Sequence, residues 1–123
     1  MTLSRIVMRL ARNPGTEFAD GDDHRGYTVV APLLEDGKLD VEAFAKARAD
    51  CSVRRFAPDE EAVIGRLARR GQTWFFDYDA ADDTDDEPVH RLGEHSFLLG
   101  EYVSVADEDG RMLAYKVTEV SPL

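Results

Sequence analysis

Between Phe97 and Val120 the chain reads FLLGEYVSVADEDGRMLAYKVTEV, and this stretch restricts the fold more than any other. Tyr102, Ser104 and Ala106 alternate with Val103 and Val105, and Leu113, Tyr115 and Val117 alternate with Ala114 and Lys116. A side-chain period of two puts successive residues on opposite faces of a pleated strand. The break between the runs, Glu108-Asp109-Gly110, supplies the Asp-Gly pair that hairpin turns favour, because glycine takes a positive φ without strain. A chain carrying this hairpin is organised around an antiparallel sheet.

The remaining segments supply partners for it. Leu3 to Arg12 predicts a strand with Ile6, Met8 and Leu10 on one face, ending at the turn signal Asn13-Pro14-Gly15. Thr16 to Gly26 is polar and reads as an exposed loop, followed by the β-formers Tyr27 to Ala31 and a turn at Glu35 to Lys38. The main helix is predicted over about residues 40–50, with Asp40 as its cap, Glu42 in the first turn and Lys46 and Arg48 in the later ones. Ser52 to Phe56 reads as a strand with Val53 and Arg55 on one face. From Pro58 to Gly71 a turn at Pro58–Glu61 and then a strand turning at Arg70-Gly71 is preferred to a helix, which Gly65 would weaken by about 1 kcal/mol. Trp74 to Tyr78 is a strand with Trp74, Phe76 and Tyr78 on one face. The sum is an α+β domain spanning residues 1–123: a small, mainly antiparallel curled sheet or partial barrel of five to eight strands, with the helix over one end.

Composition narrows the function. A chain of 123 residues has enough for one core and too few for two, and 43% hydrophobic residues exclude global disorder. The formal charge of −10 repels phosphate backbones and argues against nucleic acid as a partner. No apolar run is long enough to span a bilayer, and Arg5 and Arg9 interrupt the N-terminal segment, so neither a membrane partner nor a secretory leader is expected. The single cysteine, Cys51, lacks an activating neighbour and reads as a small buried hydrophobe in a cytoplasmic protein.

At RIVMRLARNPG, GYTVVAPL, WFFDYD and HRLGEHSFLLGEYVSV the chain resembles a family of short acidic proteobacterial proteins of unknown function. The resemblance implies a bacterial cytoplasmic protein with a β-rich fold, and it implies no activity, cofactor or catalytic residue.

Chemistry concentrates in two groups. The first is the acid run Asp77, Asp79, Asp82, Asp83, Asp85, Asp86 and Glu87, with His90, Glu94 and His95 following. Crowded carboxylates repel one another and read first as a solvated loop over residues 77–87, serving as a contact surface for a cationic protein partner, with Trp74 beside it. Oxygen ligands for a divalent ion are the alternative, with Asp77, Asp79, His90 and His95 as the set, and such an ion would make the chain an enzyme or sensor. Established metal loops do not match: counting Asp77 as the first position of a calcium loop, the sixth is Asp82 instead of glycine and the twelfth is Pro88 instead of glutamate. The second group is Arg5, Arg9, Arg54, Arg55, Arg66, Arg69 and Arg70, which alternate along strands and predict ion pairs with nearby acids or, more sharply, an anion pocket beside Trp74 or Tyr78. No nucleophile elbow or phosphate loop is present, so the reading is a binding or regulatory module without catalytic residues or a cofactor.

Overall fold

The computed structural model describes residues 3–58, 60–71, 73–77, 87–90, 96–106 and 111–123. Eight antiparallel strands run up and down in sequence order and close on themselves: β1 (Leu3–Leu10), β2 (Asp22–Pro32), β3 (Ser52–Ala57), β4 (Glu60–Arg70), β5 (Thr73–Asp77), β6 (Glu87–His90), β7 (Tyr102–Ala106) and β8 (Met112–Pro122). Closure comes from β1, which pairs with β2 on one side and β8 on the other, Met8 lying opposite both Tyr27 and Val117. The curled sheet anticipated above is therefore a complete barrel, and predominantly β. A closed sheet leaves no row of unpaired backbone groups at an edge.

Alternation fills the interior. Ile6 and Met8 of β1, Val29 of β2, Val53 of β3, Phe76 of β5 and Val103 of β7 are almost entirely buried. The expected hairpin forms as β7 and β8, with Val103 opposite Tyr115 and Val105 opposite Leu113. Its inward face carries the valines, and Tyr102, on the other parity, is 55% exposed. The strand after Pro58 is β4, and Gly71, with φ 62°, makes the turn into β5.

One end of the barrel is plugged. Asp40 accepts a hydrogen bond from the Ala43 amide at 3.1 Å and starts helix α1 (Val41–Lys46). The helix is six residues long, shorter than the 40–50 span expected, because Ala47 leaves helical geometry (φ −124°) and the chain tightens into a 3₁₀ turn over Arg48–Asp50. That turn delivers Cys51, fully buried and free, into the core at the start of β3. Burial, with the neighbouring Asp50 carboxylate adding to it, pushes its thiol pKa up and keeps it protonated. Phe44 meets Trp74 edge-to-face with ring centroids 4.9 Å apart, and Phe97, from the segment before β7, is 1% exposed. Two further expectations shift. The loop over Thr16–Gly26 ends at Gly21, since Asp22 to Gly26 belong to β2, and Glu87 with Pro88 opens a strand where an acidic loop was anticipated. No helix among the described residues is long and apolar enough to cross a membrane.

Candidate functional site

Among the described residues, the opposite end of the barrel is open. It is bounded by the C-terminal ends of β1, β3, β5 and β7 and the N-terminal ends of β2, β4, β6 and β8. There charged residues lie just beyond the apolar positions: Arg25 lies two residues before the buried Tyr27, Arg55 two after the buried Val53, and Arg111 two before the buried Leu113. All three arginines line one cavity of about 290 Å³.

Local irregularity brings Arg25 there. The β1–β2 register passes from Arg9 opposite Gly26 to Leu10 opposite Asp22, leaving Asp23, His24 and Arg25 as a bulge on β2. Bulges re-aim side chains at barrel rims. Asp22 organises this one by accepting a hydrogen bond from the His24 amide at 2.9 Å, and its other carboxylate oxygen lies 3.3 Å from Arg25 Nε. That contact is an ion pair without hydrogen-bond alignment, so the buried Nε makes no hydrogen bond among the described residues.

The cavity floor is aromatic. Tyr27 and Tyr115 meet edge-on at 5.0 Å, and Tyr27 tilts against Phe76 at 4.9 Å. At the side, Phe18 lies beneath two guanidiniums, Arg25 at 5.1 Å and Arg111 at 6.0 Å from the ring centroid. Phe18 comes from the β1–β2 connection, which Asn13 ties down: its Oδ1 accepts from the Ala114 amide at 2.8 Å and its Nδ2 donates to the Ala11 and Ala114 carbonyls. Glu17, on the same connection, accepts two hydrogen bonds from Arg111, at 2.8 and 2.9 Å. Those bonds, chiefly, hold the Glu17 carboxyl down at about 2. Glu60, at the start of β4, also lines the cavity. The result is a pocket with cations on its wall, an apolar floor and two carboxylates, cut into an otherwise acidic protein.

The residues singled out in the sequence are distributed differently. Trp74 is 2% exposed and lies toward the plugged end against Phe44, with Arg69 at 5.6 Å over its ring. Asp77 ends β5 opposite Arg66, on the rim of the open end. Asp79, Asp82, Asp83, Asp85, Asp86 and His95 lie outside the described residues, as does Tyr78. His90 ends β6 toward the plugged end; with Trp74 opposite Val89, it is offset from Asp77 by four strand positions, about 13 Å of strand rise. Among the described residues no three His, Cys, Asp or Glu side chains are grouped to hold a metal ion. Of the arginine group, Arg5, Arg54 and Arg66 are exposed, Arg9 donates to the Thr118 hydroxyl at 2.6 Å, and Arg55 lines the cavity. Arg25 and Arg111 were missed because each sits in a polar stretch beside a turn. Counting the inward period outward from Leu113 finds Arg111, whereas the bulge that places Arg25 leaves no such signal in the sequence.

Comparison with known proteins adds no relative: no family model, no curated protein and no solved structure matches the chain.

Proposed function

We propose that this protein is a non-catalytic binding module whose open barrel end takes a small molecule with an apolar body and a negatively charged group. The observation that carries the reading is the convergence of Arg25, Arg55 and Arg111, from three separate elements, on one cavity floored by Tyr27 and Tyr115. Eight strands enclose an interior that side chains just fill or that holds one small ligand. In this barrel apolar side chains pack the interior, and charge replaces them at the rim of the cavity. Three guanidiniums on one wall give that part of the cavity a positive character, which favours an anionic guest. The volume of about 290 Å³ stands at the lower edge of the roughly 300–1,000 Å³ typical of small-ligand pockets.

A titration followed by amide chemical shifts tests it. A fragment set of small monocarboxylates should move the amides of Gly26, Tyr27, Arg55 and Tyr115, whereas the matching neutral amides should not. A set that leaves those four resonances in place at millimolar concentration removes the reading.

A second contact, with a cationic protein partner, is supported by the seven acids from Asp77 to Glu87. The two described ends of that run, Asp77 and Glu87, lie on the same rim as the cavity. The proposed compartment is the bacterial cytoplasm, with which the free buried thiol of Cys51 agrees.

A further inference from the structure

We infer, independently of any ligand at the open end, that the plugged end is a dimer interface covered by a second copy of this chain. Eight large apolar side chains are exposed among the described residues. Leu34, Val41, Leu98, Leu99 and Leu123 lie at the plugged end, with Tyr102 beside them at the start of β7. Single exposed leucines need no explanation, but leucines gathered on one face mark a contact.

Two turns bring them together. Leu33 packs against the core and its backbone bridges Leu39, while the next residue, Leu34, is left 48% exposed. Leu34 opens a tight turn, its carbonyl accepting from the Gly37 amide at 2.9 Å and its amide donating to the Lys38 carbonyl at 2.7 Å. The Phe97 amide donates to the Gly37 carbonyl at 2.8 Å, which fastens the segment before β7 to this turn. A methyl group at Gly37 would lie 2.9 Å from Leu98 Cδ2, so Leu98 lies directly over the turn. Phe44, Leu39 and Phe97 already fill the interior, and Leu98 and Leu99 stay 48% and 67% exposed.

Charge selects the occupant. Acids crowd the opposite pole: the run from Asp77 to Glu87 begins and ends on the open rim, where Asp20, Asp23, Glu60 and Glu61 also lie. Around the leucines the signs are mixed, with Glu35, Asp36 and Lys38 on one turn and Glu101 and Lys116 beside the other. A strongly charged partner of either sign finds no match there. A second copy does, because a two-fold axis lets Lys38 of each chain meet Glu35 or Asp36 of the other. Stacking plug to plug also points the acidic rims apart. With eleven residues in β2, about 3.3 Å per residue and a tilt of about 40°, the barrel stands roughly 25–30 Å tall. The two rims then lie about 50 Å apart, several Debye lengths at 0.1 M salt, and their repulsion is screened. One self-complementary patch closes at two copies and leaves both open rims clear.

Sedimentation velocity from about 10 μM to about 0.5 mM protein tests this on wild-type, Leu34→Glu, Leu99→Glu and Ile64→Glu chains. Ile64, 69% exposed on the outer wall of β4, is the control for an apolar side chain outside the patch. All three replacements fall at exposed positions, so amide spectra should show an unchanged fold. Wild type and Ile64→Glu should dimerise, and each leucine variant should weaken the dimer at least about tenfold. The dimer should persist as salt rises, unlike a contact between opposite charges. Benzoate, one of the monocarboxylates that probe the cavity, should leave it intact. A wild-type chain that stays monomeric at about 0.5 mM overturns the inference. If that monomer floats with neutral phosphatidylcholine vesicles and Leu99→Glu does not, the patch belongs to a lipid surface instead. A dimer that survives both leucine changes, is lost in Ile64→Glu or is dissolved by benzoate has its contact elsewhere, which overturns the inference equally.

Discussion

Gly26 is the residue on which the cavity wall turns. A methyl group added there would lie 1.9 Å from the Met8 carbonyl oxygen, a contact backbone against backbone that no rotamer relieves. It directly follows the bulge that carries Arg25, so the close approach of β1 and β2 at this point sets where that arginine emerges. Gly26→Ala should cost about 2–3 kcal/mol of stability, as overpacking does when the backbone itself must shift, and a urea unfolding curve measures it. A loss below about 0.5 kcal/mol, the range of neutral surface changes, would show that the two strands are not locked here. The same residues explain what the sequence did and did not disclose. Tyr27, Val53 and Leu113 announce their burial by alternation, and Arg55 was placed correctly on the face of Val53. Arg25 and Arg111 were hidden by their neighbours, because Asp22 with Asp23 and Asp109 with Gly110 have the composition of turns.

Elements differ in how well their composition reports them. Strands were legible at their apolar centres, β4 among them, where a helix competed for the same residues, but β2 begins at Asp22, five residues before the expected Tyr27. Strand β6 was not, since Glu87, Pro88 and His90 carry no strand propensity and its pairing with β5 and β7 is imposed by the barrel. Helix α1 was foreseen through its cap but overestimated in length: Ala43, Ala45 and Ala47 favour helix continuation, and the need to bury Cys51 at the head of β3 overrides them. A helix of six residues has little stability of its own and is held by what it buries. Phe44→Ala should therefore cost about 3–5 kcal/mol by emptying the space against Trp74, whereas Asp40→Ala should cost only about 1 kcal/mol through the lost cap. Thermal melting of both variants ranks them, and equal costs would mean that the cap, not the plug, secures this end. Because α1 lies at the plugged end, Phe44→Ala should leave benzoate affinity unchanged wherever the variant remains folded.

Across the whole molecule, closure and charge act on one another. Alternation reveals strands but not their number in a ring, because closing a sheet depends on strand tilt and on the pairing of β1 with β8, more than a hundred residues apart. Once closed, the barrel has two unlike ends: one filled by Phe44, Leu39 and Phe97, the other rimmed by arginines and by the strand ends that flank residues 78–86. A formal charge of −10 on a body this small attracts cations over about a Debye length, ~10 Å at 0.1 M salt. A lysine-rich peptide should accordingly bind, weaken steeply as salt rises, and lose most of its affinity when Asp79, Asp82, Asp83, Asp85 and Asp86 are changed to asparagine. Those five substitutions halve the formal charge and leave Arg25, Arg55 and Arg111 untouched, so benzoate should bind the changed chain at least as well as the wild type, with less global repulsion to overcome. A peptide that keeps its affinity after the five changes is not held by the acid run, and a benzoate site that disappears with them is not the arginine-lined cavity described above.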